Sequence, residues 1–257
     1  MHLKIDPIRG KYFAPLERAE KWFRWLFYLT AVVSVAVLLI DKQTHEPIYG
    51  ALQIAFAILT VTTSVLAIGI RLYWAPRAHK RRMADYLSRA FAVDLTAERT
   101  QWYYNNSATE PARRLILQLL ENCFFTKEIA LLMCRRSRIV FTIYCCVWFV
   151  AVLFRGTPVD IAVVLCQVVF GEAVISACLR LEWLRNAAER IYDDVFRQLN
   201  SASGNTPFLL ANAIDELVEY ECHKAIAGVT LSSNLFDENN GRLSKQWEGV
   251  LLTLEGS

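Results

Sequence analysis

Signatures of catalysis are missing from this 257-residue sequence. It contains no HExxH motif, no Walker lysine loop, no GxSxG and no GxGxxG, the patterns of several large enzyme classes. Its seven cysteines form no CxxC pair, and Glu221-Cys222-His223-Lys224 consists of helix neighbours that point in different directions. We therefore expect a protein that is not an enzyme and has no metal site and no cofactor.

Charged residues are also scarce, at 21% of the chain, and they are absent from long runs. The longest run, Pro47–Ile70, exceeds the ~30 Å hydrocarbon core of a bilayer at ~1.5 Å rise per residue. Further runs occur at Trp25–Ile40, Ile139–Phe154 and Ile161–Leu179, the last interrupted by Glu172. The sequence thus predicts an all-α membrane protein with four transmembrane helices in two hairpins and a helical cytoplasmic region.

Lysine and arginine are nearly absent from the two short loops at the tips of these hairpins. Residues 41–46 and 155–160 contain one each, of 28 in the chain. Because Lys and Arg accumulate beside the cytoplasmic ends of spans, we expect both termini and the central segment to be cytoplasmic.

The N-terminus does not have the pattern of a secretory signal. Asp6, Glu17 and Glu20 interrupt the region that should be basic, and no small-residue cleavage site follows Ile40, so we expect the first span to be retained. Apolar side chains at helical spacing in residues 11–24 indicate an interfacial amphipathic helix. A longer first span with snorkelling cations fits the same pattern equally well.

These patterns divide the chain into five segments. In order, they are a cytoplasmic amphipathic segment, a first hairpin, a basic cytoplasmic insert, a second hairpin and a C-terminal cytoplasmic tail, at 1–24, 25–74, 75–138, 139–179 and 180–257. The insert is basic and the tail is acidic, so we expect the two to pack together.

Turn-forming residues and apolar periods indicate the helices of the cytoplasmic segments. Pro76 should end or kink the second span, and a loop is expected between 93 and 109, with Pro111 in the first turn of the next helix. Two C-terminal helices are expected at 208–226 and 238–252. Apolar residues separated alternately by four and three positions form a seam for helix-on-helix packing, which indicates that the fourth span continues as a packed helix. The seam consists of Ala177, Leu181, Leu184, Ala188, Ile191 and Val195.

Glu172 is an acidic residue in the middle of the fourth predicted span. A charge there costs about 2.5–3.5 kcal/mol, so its side chain should face protein or water. Ser176 lies one turn further on the same face, while Gln167 lies about 140° away. Two interpretations remain open: a pore or gate formed with Ser176 and Gln167, or a protonated Glu172 that bonds a neighbouring span.

Arginines form a basic cluster at the start of the third predicted span. Arg135 and Arg136, together with the cations that follow span two, would form a cationic collar at the membrane surface. Anionic lipid headgroups are one partner for such a collar. The phosphates of a soluble nucleotide are the other, because guanidinium groups match phosphate oxygens.

The order of segments and three local stretches resemble the SMODS-associated four-transmembrane pore-forming effectors of bacterial antiphage systems that signal with cyclic oligonucleotides. The stretches are Trp102-Tyr103-Tyr104-Asn105-Asn106, Glu121-Asn122-Cys123-Phe124-Phe125-Thr126, and Glu219-Tyr220-Glu221 followed by Trp247. The resemblance covers most of the chain.

This resemblance implies a multi-pass protein of the bacterial inner membrane that binds a cyclic oligonucleotide second messenger on its cytoplasmic side. It would then oligomerise or rearrange and permeabilise the lipid bilayer, as a homo-oligomer and without binding a nucleic acid polymer. From residue type and loop placement, we expect ligand contacts from Trp102, Tyr103, Tyr104, Asn105, Asn106, Asn122, Phe125, Arg135 and Arg136. A constitutive ion channel or small-solute transporter subunit is the alternative function.

Overall fold

The structure, a computed structural model, describes residues 5–40, 42–101, 103–104, 106, 108–153, 161–201 and 206–255. It does not describe the side chains of 35, 38, 39, 144, 147–153, 161–174, 201, 206 and 255. The described chain is all-helical, as predicted, apart from one isolated β-bridge. Its α-helices are α1 (Ala14–Leu39), α2 (Glu46–Gly69), α3 (Ala75–Phe91), α4 (Pro111–Leu153), α5 (Ile161–Ser201), α6 (Thr206–Ala227) and α7 (Ser233–Glu255).

Helices α1 and α2 pack against each other as a hairpin with an apolar outer surface. No residue of α2 is buried, and Ile54, Ile58 and Val61 are 64%, 60% and 63% exposed. The hydroxyls of Thr60 and Thr63 donate to backbone carbonyls one turn earlier, at 2.8 and 2.7 Å. An exposed apolar surface whose polar groups are satisfied inside the helix is suited to contact with lipid.

A π-helical turn, Ile70–Trp74, joins α2 to α3 within one helical run. Pro76 has no N–H and its ring crowds the carbonyl four residues earlier, so a wider turn before it accommodates the proline. The turn brings the Trp74 ring over Gly69, where a Cβ would lie 2.9 Å from Cζ3. Pro76 therefore ends α2 without an intervening loop.

Helices α3, α6 and α7 pack with parts of α4 and α5 into a helical body around one main hydrophobic core. Fully buried side chains come from α4 (Leu115, Leu119), α5 (Ile191) and α7 (Leu243, Trp247). The central segment and the C-terminal tail therefore pack together, as their opposite charges predict.

The structure differs from the sequence pattern in two details, one in α4 and one in α5. Helix α4 continues through Glu121–Thr126, where the sequence shows no clear apolar period. Residues 115–121 are all buried, and a helix that is buried on every side has no polar face to produce such a period. In α5 the predicted seam is buried from Leu181 to Val195, whereas Ala177 is exposed. The seam therefore begins one turn later than predicted.

The lengths of α4 and α5 exceed what the helical body needs. They contain 43 and 41 residues, which corresponds to about 60 Å each, and they pack along each other. Among the described side chains where these helices leave the body, Ile139 is 61% and Leu179 is 62% exposed. Each helix is long enough to serve both the body and a membrane span.

Among the described residues, one helical run, Glu46–Phe91, is long and apolar enough to cross a membrane. This supports an association with the membrane. The four transmembrane helices of the predicted hairpins are not confirmed, because no other run of the described residues meets this criterion.

Candidate ligand-binding cavity

Residues 5–13, which we call the N-terminal strap, lie across the helical body directly before α1. The backbone groups of Ile5 and Gln101 exchange hydrogen bonds of 3.1 and 2.8 Å. Further along, the Lys11 ammonium donates to the Glu98 carboxylate at 2.5 Å. These contacts tie the strap to the loop that follows α3.

A second set of contacts ties the strap and the start of α1 to α7. Both terminal nitrogens of Arg9 donate to the Asp237 carboxylate, at 3.0 and 2.6 Å. The Ser233 hydroxyl donates to the Glu17 carboxylate. Arg9 and Asp237 are 43% and 54% exposed, so their ion pair is worth about 0–1 kcal/mol.

The strap closes one side of a cavity of about 360 Å³. The other walls come from the start of α1, α3, the loop at 103–104, α4, α5 at Leu184, α6, the 229–232 linker and the start of α7. Ligand pockets typically measure about 300–1,000 Å³ and combine apolar walls with a few polar groups. The cavity is therefore large enough for a small organic ligand.

Aromatic rings line much of this cavity. Tyr103 and Tyr104 meet edge to face with 4.9 Å between ring centroids, and Tyr104 meets Tyr86 in the same way at 5.8 Å. Phe125 of α4 lies 5.6 Å from Phe236 of α7. Such rings offer flat surfaces on which a planar ligand group can stack.

The buried tyrosine hydroxyls are neutral, because burial raises the pKa of Tyr86, Tyr104 and Tyr220 well above the ordinary tyrosine value. Tyr86 donates to the Leu115 carbonyl oxygen at 2.7 Å. Tyr220 shares a 2.7 Å hydrogen bond with the Thr126 hydroxyl. These groups are fixed polar contacts rather than acids or bases.

Arg82 of α3 brings a guanidinium group into the cavity. Its Nη2 donates to the Asp6 carboxylate at 2.7 Å, and its side chain is 17% exposed. The guanidinium carbon lies 4.5 Å from the centre of the Tyr103 ring and 5.3 Å from that of Phe13. Its Nη1 is buried and has no hydrogen-bond partner among the described residues. Because an unsatisfied buried donor costs about 1–3 kcal/mol, Arg82 can gain from a further acceptor.

Buried polar contacts fix the loop that carries Tyr103 and Tyr104. The Asp85 carboxylate accepts the N–H and the hydroxyl of Thr100, at 3.0 and 2.7 Å. Arg114 donates to backbone carbonyls at both ends of the loop, at 2.9–3.1 Å. The two tyrosines therefore stand on a loop that is held at its start and at its end.

The arrangement can bind a molecule with planar groups and an anionic group through non-covalent contacts. The rings supply stacking surfaces, and Arg82 supplies a guanidinium with a terminal nitrogen that has no hydrogen-bond partner among the described residues. The other charged groups of the lining are two cations, Arg9 and Lys224, and four carboxylates, Asp6, Glu17, Glu221 and Asp237. In the part of the chain that the structure describes, no group of three His, Cys, Asp or Glu side chains could hold a metal ion.

The structure brings four of the predicted ligand residues, Tyr103, Tyr104, Asn122 and Phe125, into this cavity. The Asn122 amide lies 3.5 Å from the Tyr104 hydroxyl. Asn106 lines a second, more open depression. Trp102 and Asn105 lie outside the described residues.

The remaining predicted residues lie elsewhere. Arg135 and Arg136 are exposed on α4 and do not line the cavity, because they lie beyond Ile129, the last residue of α4 that reaches it. Ser176 is partly exposed on α5, and the side chains of Glu172 and Gln167 are outside the description.

Sequence reasoning missed the walls formed by the strap and by α7. Asp6 and Arg9 were not expected near the ligand, and α7 begins at Ser233, five residues before the predicted start. The sequence does contain a signal for this earlier start, because serine is favoured at helix N-termini and Ser232 directly precedes α7. In the structure its hydroxyl accepts a 3.4 Å hydrogen bond from the Leu235 N–H.

His79 also lines the cavity. Burial, followed by repulsion from Lys224 and Arg82, lowers its pKa to about 4, although Glu221 opposes this change. The imidazole is therefore neutral at neutral pH and adds no positive charge to the cavity.

We expect the free energy of unfolding to decrease as the pH falls from about 6.5 to about 4. In this range the unfolded chain binds a proton at His79 and the folded chain does not, so stability rises with pH. The decrease of the His79 pKa from its ordinary value of 6.5 to about 4 corresponds to roughly 3 kcal/mol of unfolding free energy. Chemical unfolding in detergent at several pH values should show this loss in the parent protein and a smaller one in His79→Gln. Equal losses in both proteins would contradict the assignment.

Comparisons of the chain with family models, with curated proteins and with solved structures find no match. The resemblance to the SMODS-associated effectors therefore stays a prediction.

Proposed function

We propose that this chain is a ligand-gated membrane effector of bacterial antiphage defence. A cyclic oligonucleotide binds in the cavity, the helices around it rearrange, and the protein permeabilises the inner membrane. In this proposal α1, α2 and the apolar parts of α4 and α5 form four spans, and both termini are cytoplasmic. Several copies act together, because four spans with one acidic residue cannot enclose an aqueous path alone.

The continuity between the cavity and the apolar helices carries this proposal. Arg82 and Tyr86 lie on α3, which continues α2 through the π-helical turn. Phe125 lies on α4, and the strap leads directly into α1. A ligand that changes the packing around the cavity thus acts on helices that extend to the membrane, without a further domain.

The chemistry of the walls supports a nucleotide ligand. Aromatic rings stack on bases at about 1–3 kcal/mol per base, and guanidinium groups bind phosphate oxygens through charge-assisted hydrogen bonds. Tyr103 and Arg82 offer both groups at one place, with the guanidinium carbon 4.5 Å from the ring centre.

The test is dye release from liposomes that contain the purified protein, with a panel of cyclic di- and trinucleotides. We expect release only with the cognate nucleotide. Release without any nucleotide would favour the constitutive channel or transporter subunit. No release under any condition would contradict pore formation.

Phe125→Leu is expected to weaken binding of the cognate nucleotide about 5- to 150-fold, the equivalent of one lost stacking contact. Leucine keeps an apolar side chain against Phe236, so the fold should persist. The matched control is Phe208→Leu, because Phe208 is 65% exposed and does not line the cavity. Titration calorimetry should separate the two variants, and equal affinities would place the ligand elsewhere.

A further inference from the structure

The N-terminal strap places a carboxylate at Arg82, whose guanidinium is largely buried in the cavity. Asp6 and Arg82 form their ion pair with side chains that are 14% and 17% exposed. The pair uses Nη2 of Arg82 and leaves Nη1 without a hydrogen-bond partner among the described residues. A single carboxylate from the strap thus fills only part of the guanidinium fork.

A phosphate group can satisfy this guanidinium more fully than Asp6 does. Arginine binds phosphate through two parallel N–H···O bonds, which would engage both terminal nitrogens. The guanidinium lies over the Tyr103 ring, with 4.5 Å between its carbon and the ring centre, and this contact holds its plane in place. A phosphate and the Asp6 carboxylate cannot both occupy Nη2, because like charges at this distance repel.

We propose that Asp6 is an internal competitor for a phosphate subsite at Arg82, and that a bound phosphate releases the N-terminal strap. This inference rests on the proposed function, since it assigns the phosphate of the ligand to Arg82. The other ion pairs of the strap, at Arg9 and at Lys11, each involve an exposed cation and are individually weak. Release therefore has to break chiefly the backbone bonds between Ile5 and Gln101 and the packing of the fully buried Ile8.

Release of the strap would act directly on α1, because the strap is continuous with this helix. The π-helical turn Arg9–Phe13 continues into α1 with helical backbone angles at Phe13. A displacement of the strap is therefore a displacement of the first turns of α1, and no flexible linker separates them.

The subsite is tested on the full chain in lipid-free detergent, with pyrophosphate as the probe. We expect Asp6→Asn to raise the affinity for pyrophosphate about tenfold, because the competing charge is removed. Asparagine keeps an oxygen that can accept the Arg9 N–H bonded to Asp6 at 2.9 Å, so the turn persists. Arg82→Gln combined with Asp6→Asn should abolish the gain.

Glu98→Gln is the matched control, because it loosens the strap at Lys11 without touching the cavity. An equal gain in affinity from Glu98→Gln would mean that loosening alone matters and would overturn the competition. Unchanged or weaker binding in Asp6→Asn would overturn it as well.

Hydrogen exchange of residues 5–13 reports strap release. Pyrophosphate should increase exchange there in the parent protein, and unchanged exchange at saturating pyrophosphate would overturn the release. Cyclic dinucleotides and anionic lipid vesicles are two further arms that identify the source of the phosphate. If pyrophosphate acts as expected but no cyclic nucleotide does, the subsite stands and the proposed function fails.

Discussion

The double substitution Ile58→Lys and Val61→Lys is expected to prevent the hairpin of α1 and α2 from inserting into the membrane. Both residues lie near the middle of the uncharged run of α2 and are 60% and 63% exposed. Replacing an apolar residue by lysine at a span centre costs about 3–4 kcal/mol, so the pair costs about 6–8 kcal/mol. If α2 were an exposed helix of a soluble protein, the same changes would cost within about 0.5 kcal/mol each.

Leu252→Lys is the control for this pair, because Leu252 is 70% exposed on α7 in the helical body. With a Thr44→Cys reporter in the loop between α1 and α2, Leu252→Lys should keep the labelling by a membrane-impermeant thiol reagent in intact cells, while the double variant should lose most of it. Labelling of a monodisperse double variant that equals that of the parent would contradict a membrane-spanning α2.

The helices could be predicted from the sequence because their signals are local. Pro111 marks the first residue of α4, as expected, and the α5 seam is buried over five of its six positions. The irregular stretch Glu121–Thr126 was harder to interpret, since a helix that is buried on every side shows no amphipathic period. Burial of that kind is a property of the packed body, which the local pattern does not contain.

The cavity could be predicted only in part, for the same reason. Tyr103 and Tyr104 stand out by residue type in a loop, Asn122 and Phe125 by residue type in a stretch that proves to be part of α4, and all four line one cavity. The wall from the strap depends on contacts such as Arg9–Asp237, whose partners lie 228 residues apart. No spacing rule relates such positions.

Trp247→Ala is expected to destabilise the helical body by about 3–5 kcal/mol, a typical cost for emptying a large buried site. Trp247 is fully buried, and its ring lies 5.7 Å from that of Phe124 in α4. The contact joins α7 to α4, the two helices that bring Phe236 and Phe125 to the cavity. The free energy of unfolding and the ligand affinity should therefore both decrease. Unfolding in denaturant, followed by circular dichroism, measures the first.

Trp247→Phe separates the contribution of the buried ring volume to stability from that of the indole N–H. Phenylalanine keeps most of the buried volume, and the Trp247 Nε1 has no hydrogen-bond partner among the described residues, so this variant should lose about 1.5 kcal/mol or less. Trp183→Ala serves as a second control, because Trp183 is 39% exposed on α5. If Trp247→Ala unfolds no more easily than Trp183→Ala, then α7 does not pack on the helical body through Trp247. The cavity wall that α7 forms at Phe236 and Asp237 would then be contradicted as well.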